Sequence, residues 1–371
     1  MRQAVNTAAL PSFAHVQTLL SPHGVVQFAH GAEPEPTSGT CLDDNARALL
    51  VATLALRADP DHAGARTLGD VTIDFVRGAQ RSDGQFHNLA DASGAFLDDI
   101  GSSDAFGRAV WACGVVSRCA PDAQWRSAAA TVLTNALPAL ETLAPLQPTA
   151  YAILGLAAAV APDVAAPLAS AADPFSAGVR DAMQRHLQTL CGDFDARFRA
   201  SATDDWAWWV PTLTWGNARL PEALLLGGAA TGKLQYVKDG LRALEFLAGI
   251  TQAGPHFIPI GNEGWYDRHA VRAMYDQQPI EACAMIDAWL AAQRSTGDAQ
   301  YRTKAAAAFQ WFHGGNTENL AVADTRLGGC HDGLKRGLVN PNMGAESTLS
   351  YLHAHLRLAF ELAPSSAFAG R

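Results

Sequence analysis

Seven acids stand at or just before the starts of Ala/Leu-rich runs: Asp43, Asp44, Asp104, Glu222, Asp276, Glu281 and Glu346. Carboxylates crowded in a partly dry cleft have split pKa values, so one can keep a proton while its neighbour stays ionised. One proton donor and one base is what cleavage of a glycosidic bond requires. Each acid also has an ordinary explanation, because Asp and Glu at helix N-termini cap free N–H groups and oppose the macrodipole. It is the collection, rather than any one member, that points to chemistry. Asp44 and Asp276 are the leading catalytic candidates, since each is followed by an amide, Asn45 or Gln277, suited to fixing sugar hydroxyls. Asp104 and Glu222 are the further candidates.

Aromatic and amide side chains lie close by in sequence. The segment DDWAWWVPTLTWGN carries Trp206, Trp208, Trp209, Trp215 and Asn217, and NEGWYDR carries Asn262, Glu263, Trp265 and Tyr266. Sugar rings present C–H faces that stack on indoles, while their hydroxyls need Asn, Asp, Gln and Arg. A loop tryptophan can equally be a lid on the core. Asp43, Gln278, Glu281 and Glu346 complete the acids and amides expected to bind substrate. Arg47, Arg108 and Arg219 each follow the start of a run by a few residues; they could neutralise neighbouring acids or bind an anionic group such as phosphate.

The elements that must position these residues show a repeated grammar. Six runs begin near Asp43, Asp104, Pro148, Asn217, Asp276 and Gly344 and are apolar nearly all round, as in Val51, Leu54, Ala55 and Leu56. Helices of that kind are buried on most sides. Between them lie segments with one apolar stripe: Leu68, Val71, Phe75 and Val76 against Arg66, Asp70, Asp74 and Arg77, and Val237, Leu241, Leu244 and Ala248 against Lys238, Asp239, Arg242 and Glu245. They read as outer helices with one wet face, expected near 8–20, 64–79, 122–143, 176–191, 234–250 and 298–313. The order is outer then inner, six times over. The expectation is an all-α (α/α)6 barrel, a six-hairpin toroid forming one domain over residues 1–371, with both termini near the barrel edge and strands confined to loops. An open solenoid also alternates, but its repeats are shorter and more regular. The long connections, 21–42, 80–103, 192–214, 251–275 and 314–342, all lead into inner helices, so they should emerge at one end. Long loops in compact domains commonly carry function.

Composition narrows the classes. The net charge of −9 argues against nucleic acid or an anionic membrane as partner, and 49% hydrophobic residues with only 17% charged suits a large core. No apolar run is long enough to span a bilayer. The six cysteines lack CxxC spacing and read as reduced, buried thiols of a cytoplasmic protein. His353 and His355 fall on different helix faces, so no metal site is expected. Walker A, GxGxxG and GxSxG patterns are missing, and no cofactor is expected. GGCHDG and RSDGQF read as glycine turns.

The segments GTCLDDNARALLVA, SSDAFGRAVWACG, LTWGNARLPEALLL, FIPIGNEGWY, YDQQPIEACAM, GGCHDGL and GAESTLSYLHAH together resemble a bacterial family of six-hairpin, glycosidase-like proteins, often described as glycosyltransferase-associated and encoded beside mannoside phosphorylases and glycosyltransferases. The resemblance covers roughly residues 20–360 and implies an (α/α)6 fold and a carbohydrate context, not a particular reaction. Where that family carries acids before NARLPEAL, this chain has Val210 and Gly216. The leading expectation is a glycoside hydrolase or phosphorylase that acts by inversion on an oligosaccharide, with a mannoside as one option and inorganic phosphate as a possible second substrate. A non-catalytic glycan-binding or glycosyltransferase-partner protein is the alternative. A sugar epimerase is a lesser one, because such enzymes need a histidine pair facing the sugar and no inner helix here starts with His.

Overall fold

In the computed structural model, which describes residues 9–161, 163, 173–254 and 256–362, twelve α-helices alternate between two rings. The inner ring is α2 (Leu42–Ala58), α4 (Ser103–Cys119), α6 (Leu146–Val160), α8 (Arg219–Thr231), α10 (Pro279–Thr296) and α12 (Ala345–Leu362). Each inner helix packs on the next, and α12 returns to α2, so the ring is closed. The outer helices are α1 (Ala14–Leu19), α3 (Ala63–Ala79), α5 (Ala123–Ala136), α7 (Ala177–Ser201), α9 (Leu234–Thr251) and α11 (Gln300–Phe309). α3, α5, α7, α9 and α11 pack on the inner helix that precedes them, and α1 packs on α12. This is the (α/α)6 barrel. Closure rules out the open solenoid.

The two rings follow from burial. Val51, Leu54, Ala55 and Leu56 of α2 are all buried, although they point to different sides of the helix, because α2 has neighbours on nearly every side. On α3 the buried stripe is Leu68, Thr72, Ile73 and Val76, with Asp70, Asp74 and Arg77 exposed and Val71 and Phe75 half-buried at its edge. One expected wet residue is not wet: Asp239 of α9 is buried and accepts from Gln235 Nε2 at 2.8 Å. α4 and α6 approach until backbones touch. A Cβ on Gly114 would lie 2.0 Å from Gly155 O, and one on Gly155 would lie 2.4 Å from Val110 O, so both positions exclude a side chain.

The boundaries differ from expectation at several outer helices; α5 ends at Ala136, where Leu137–Thr142 continue as a 3-10 turn, short of the expected 143. α7 continues to Ser201, because Leu187, Leu190, Cys191, Phe194 and Phe198 extend one buried stripe through a segment whose charges make it read as a loop. α1 is short; its expected start at residue 8 lies outside the described residues, as do the chain termini. Among the described residues, the strands are fourteen two-residue segments in seven antiparallel pairs, all within loops. None of the described helices is long and apolar enough to cross a membrane. All six cysteines are free and buried.

Candidate functional site

A cavity of about 500 Å³ opens where the inner helices begin. α2 contributes Asp43, Asp44 and Arg47, with Cys41 just before it; α4 contributes Asp104 and Arg108, with its cap Ser102; α12 contributes Glu346 and Ser347. Trp215 leads into α8, Gln278 precedes α10, and the long loops add Gln27, Phe28 and Asp332. The volume lies within the range of about 300–1,000 Å³ typical of small-molecule sites. The acids are not there as caps. The N-cap positions of α2, α4, α8 and α10 are Cys41, Ser102, Ala218 and Gln278, and at α4 it is Ser102 Oγ that accepts from Ala105 N.

Asp44 is almost fully held by protein. Its Oδ1 accepts from Arg47 Nη1 at 2.7 Å and its Oδ2 from the Cys41 thiol at 3.2 Å. Burial pushes its pKa up to about 6; Arg47 opposes the rise, and Glu346 and Asp43 add to it. Arg47 also donates to Glu346, so one guanidinium sits between two carboxylates from neighbouring helices. Arg108 Nε pairs with Asp43 Oδ1 at 3.0 Å, and its guanidinium lies 4.3 Å from the Tyr151 ring centroid and 5.7 Å from that of Trp215. Asp104 is half-buried; burial and Asp43 raise its pKa against the pull of Arg108, and its Oδ1 has no protein partner. Burial likewise raises Asp332, while a 2.8 Å bond from Gly344 N holds it back.

Several expected site residues lie elsewhere. Glu222 is buried inside the ring, 2.6 Å from Arg219 Nη1, which also reaches Asp287 Oδ2 at 2.8 Å. Burial raises its pKa, with Asp287 adding to the rise. Asp276 sits outside the cavity lining behind Gly333, where a Cβ would come within 2.2 Å of Asp276 Oδ1, and its nearest cation is Lys335 at 3.7 Å. Asn45 and Gln277, expected to hold hydroxyls, are wholly buried and spent on the scaffold. Asn45 accepts from Val25 N and donates to Cys41 O, while Gln277 accepts from Trp311 Nε1 and donates to Met274 O.

The tryptophans divide in the same way. Trp206 and Trp209 are buried with their indole N–H groups on Val210 O and Phe194 O, plugging the outer layer against Phe246, Phe194 and Phe198. Trp265 and Tyr266 are half-buried, and Tyr266 pairs with Leu213 and packs on Trp206. Asn262 and Glu263 bond through their backbone N–H groups to Asp276 O and Tyr275 O. Glu281 and Asn217 lie behind Trp215. Glu281 accepts from Gly216 N and Asn217 Nδ2, and Asn217 closes a turn with Thr214, so together they fix the approach that presents Trp215. Gly216 has φ +60°, a conformation that favours glycine at that turn. Burial pushes Glu281 to a pKa of about 7.

Phe28, Gln27, Asp332, Cys41 and Ser347 line the cavity without having been expected there. GGCHDG, read as a turn, delivers Asp332; its position at the end of a long loop before an inner helix was the available signal. Deeper in the barrel, ligand atoms of Cys283, Asp287 and His353 lie within 4.8 Å of one another. Arg219 is 2.8 Å from Asp287 and 3.7 Å from the Cys283 sulfur, so a guanidinium occupies the place a cation would need. His355 faces the other way, bonded to Ala9 O.

No family model matches the chain, and no curated protein matches it in sequence. Solved structures do match in shape. A cellobiose 2-epimerase from Bacillus thermoamylovorans is similar with a TM-score of 0.68 at 12% identity, over 94% of this chain and 95% of that one. A D-mannose isomerase is similar at 0.66 and 13%, over 97% and 96%. The cellulase Cel9M of C. cellulolyticum is similar at 0.54 and 9%, over 92% and 88%. At these identities the likeness establishes the six-hairpin (α/α)6 class of fold.

Proposed function

We propose that this chain is a carbohydrate-active enzyme that moves a proton on a reducing sugar, by isomerisation or 2-epimerisation, with Asp44 as the base. The observation that carries this reading is Asp44 itself, a cavity carboxylate with a pKa of about 6 beside the guanidinium of Arg47. Above about pH 6 such a group is ionised and is a stronger proton acceptor than an ordinary carboxylate. Taking the proton from C2 of an open-chain sugar leaves an enediolate, whose negative charge Arg47 and Arg108, lining the same cavity, would stabilise. Returning the proton to C1 while the O2 proton passes to O1 gives the ketose; a proton delivered to the other face of C2 by a second cavity carboxyl gives the epimer. The histidine pair expected of a sugar epimerase is not among the described lining residues, so this reading departs from that pattern and gives the base role to a carboxylate. The near-complete mutual coverage with a 2-epimerase and a mannose isomerase supports this reaction class over the hydrolase expected from the acids alone.

Hydrolysis of a glycosidic bond is the second reading. It is favoured by the number of acids in one cavity, Asp43, Asp44, Asp104, Asp332 and Glu346, since this reaction needs a pair of carboxyls as acid and base. Incubation in D2O with D-mannose, D-glucose, cellobiose and mannobiose, followed by proton NMR, separates the two. Deuterium entering at C2 of the aldose or C1 of the ketose, with intact linkages, supports proton transfer. Release of monosaccharide without exchange supports hydrolysis. Binding with neither result would mean a non-catalytic glycan-binding protein.

A further inference from the structure

One wall of the cavity takes no part in the acid–base chemistry. Among the described phenylalanines, tyrosines and tryptophans, Phe28 alone is mostly exposed, at 58%, and it lines the cavity mouth. Every other described phenylalanine, tyrosine and tryptophan is buried or half-buried. A single exposed apolar residue ordinarily needs no explanation. Here, though, the one exception among the aromatics lies at the cavity.

The ring is also carried on a fixed support. Phe28 N donates to Ser38 Oγ at 3.2 Å and Phe28 O accepts from Glu35 N at 2.9 Å. The preceding residue, Gln27, donates through its side chain to Ser38 O at 2.7 Å. Gln27 O accepts from Ala345 N at 2.9 Å, which ties the segment to the start of α12. The deep wall of charged groups from α2, α4 and α12 suits hydroxyls, whereas Phe28 offers only a flat apolar face.

Resting on the carbohydrate reading above, we propose that Phe28 is a stacking platform for a second sugar ring, so that the favoured substrate is a disaccharide or longer chain whose reducing ring enters the polar cavity while the next ring lies over Phe28 at the mouth. A pyranose presents a face of C–H groups to such a ring, and aromatic packing of this kind is expected to raise affinity about three- to tenfold.

The test is calorimetric titration of the wild-type protein, Phe28→Ala and Phe28→Trp with glucose, mannose, cellobiose and mannobiose. Wild type should bind at least one disaccharide about three- to tenfold more tightly than its monosaccharide. Phe28→Ala should lose that increment and keep the monosaccharide affinity, and Phe28→Trp should retain it. Circular dichroism checks that the variants are folded. Equal weakening of both sugar lengths in Phe28→Ala, or no change in either, would overturn the platform while leaving the carbohydrate reading in place. If wild type binds monosaccharides with no gain for disaccharides, the platform is likewise overturned. Absence of binding by every sugar would overturn both.

Discussion

Arg47 Nη1 lies 2.7 Å from Asp44 Oδ1, and the same guanidinium reaches Glu346 on α12, so a single side chain joins the first inner helix to the last. Arg47 and Arg108 also line a second, smaller cavity of about 20 Å³ below the first, which makes them the partition between the open site and the barrel interior. Arg47→Met would leave Asp44 buried beside Glu346 and Asp43 with no cation. Removing one partner of a buried pair costs about 3–5 kcal/mol. Urea unfolding should show a loss of that order, with Arg47→Lys recovering only part because it cannot bridge two carboxylates with one planar fork. A change under about 0.5 kcal/mol, the usual effect of a surface substitution, would contradict the bridge.

Asp44→Asn keeps the shape of the side chain and removes its proton chemistry. Turnover should fall by about two to four orders of magnitude, the range for loss of a general acid or base, with the fold intact. The pH profile also carries a sign. If Asp44 is the base, kcat/KM of the parent rises through about pH 6 as the carboxyl ionises; if it is the acid of a hydrolase, the rate falls through the same pH. A limb near pH 6 that persists in Asp44→Asn would assign it to another group.

Glu222→Gln provides the contrast. Glu222 is off the cavity lining and bound to Arg219, so its replacement should lower stability without removing the chemistry. A loss of turnover as large as that of Asp44→Asn, in a folded protein, would move the active centre deeper into the barrel.

The sequence was most informative about the inner ring. Starts placed near Asp43, Asp104, Pro148, Asn217, Asp276 and Gly344 fall within a few residues of α2, α4, α6, α8, α10 and α12, because helices apolar on every side can only sit between two layers. Asp44 and Asp104 reach the cavity because they occupy the first turns of such helices. Asp276 occupies an equivalent place in sequence, but it precedes α10 by three residues and is turned behind Gly333. Trp206 and Trp209 look the same as Trp215 in sequence. What separates them is which backbone carbonyl lies within reach of the indole: Val210 O in the same loop for Trp206, and Phe194 O of α7 for Trp209. Phe28 was hidden for a related reason, since nothing local says that a phenylalanine between Gln27 and Ala29 will stay uncovered.

Carboxyls whose pKa values are raised by burial give stability a pH dependence of definite sign. Asp44 is raised from 3.8 to about 6 and Glu281 from 4.5 to about 7. A carboxyl whose folded pKa exceeds its unfolded value contributes stability that is fully present below the unfolded pKa and is lost as pH rises through the folded one. These two groups therefore support the folded state fully below about pH 4 and withdraw that support between about pH 4 and 7. Glu281→Gln retains a carbonyl oxygen for Gly216 N and removes the ionisation. Its melting temperature should decline less between pH 5 and pH 8 than that of the parent. An unchanged decline would show that Glu281 does not contribute.

Asp287 makes the opposite case and an independent prediction. It is 1% exposed, and its two oxygens lie 2.8 Å from Arg219 Nη1, His353 Nε2 and Arg357 Nε. Burial alone would raise its pKa, but the charges of Arg219 and Arg357, with a hydrogen bond from His353, outweigh that and hold it well below the usual carboxylate range. Burial, with the two guanidinium groups beside it, keeps His353 below its ordinary pKa and hence neutral at pH 7. Asp287→Asn would leave two buried guanidinium groups facing a neutral amide, and the loss should be about 3–5 kcal/mol by urea unfolding. The same arrangement predicts the response to metal. A zinc ion at Cys283, Asp287 and His353 would have to displace Arg219 from its 2.8 Å contact with Asp287, so saturating Zn²⁺ should leave the melting temperature unchanged. A rise of several degrees with zinc, abolished in Cys283→Ser, would mean that the guanidinium gives way and that this cluster is a metal site after all.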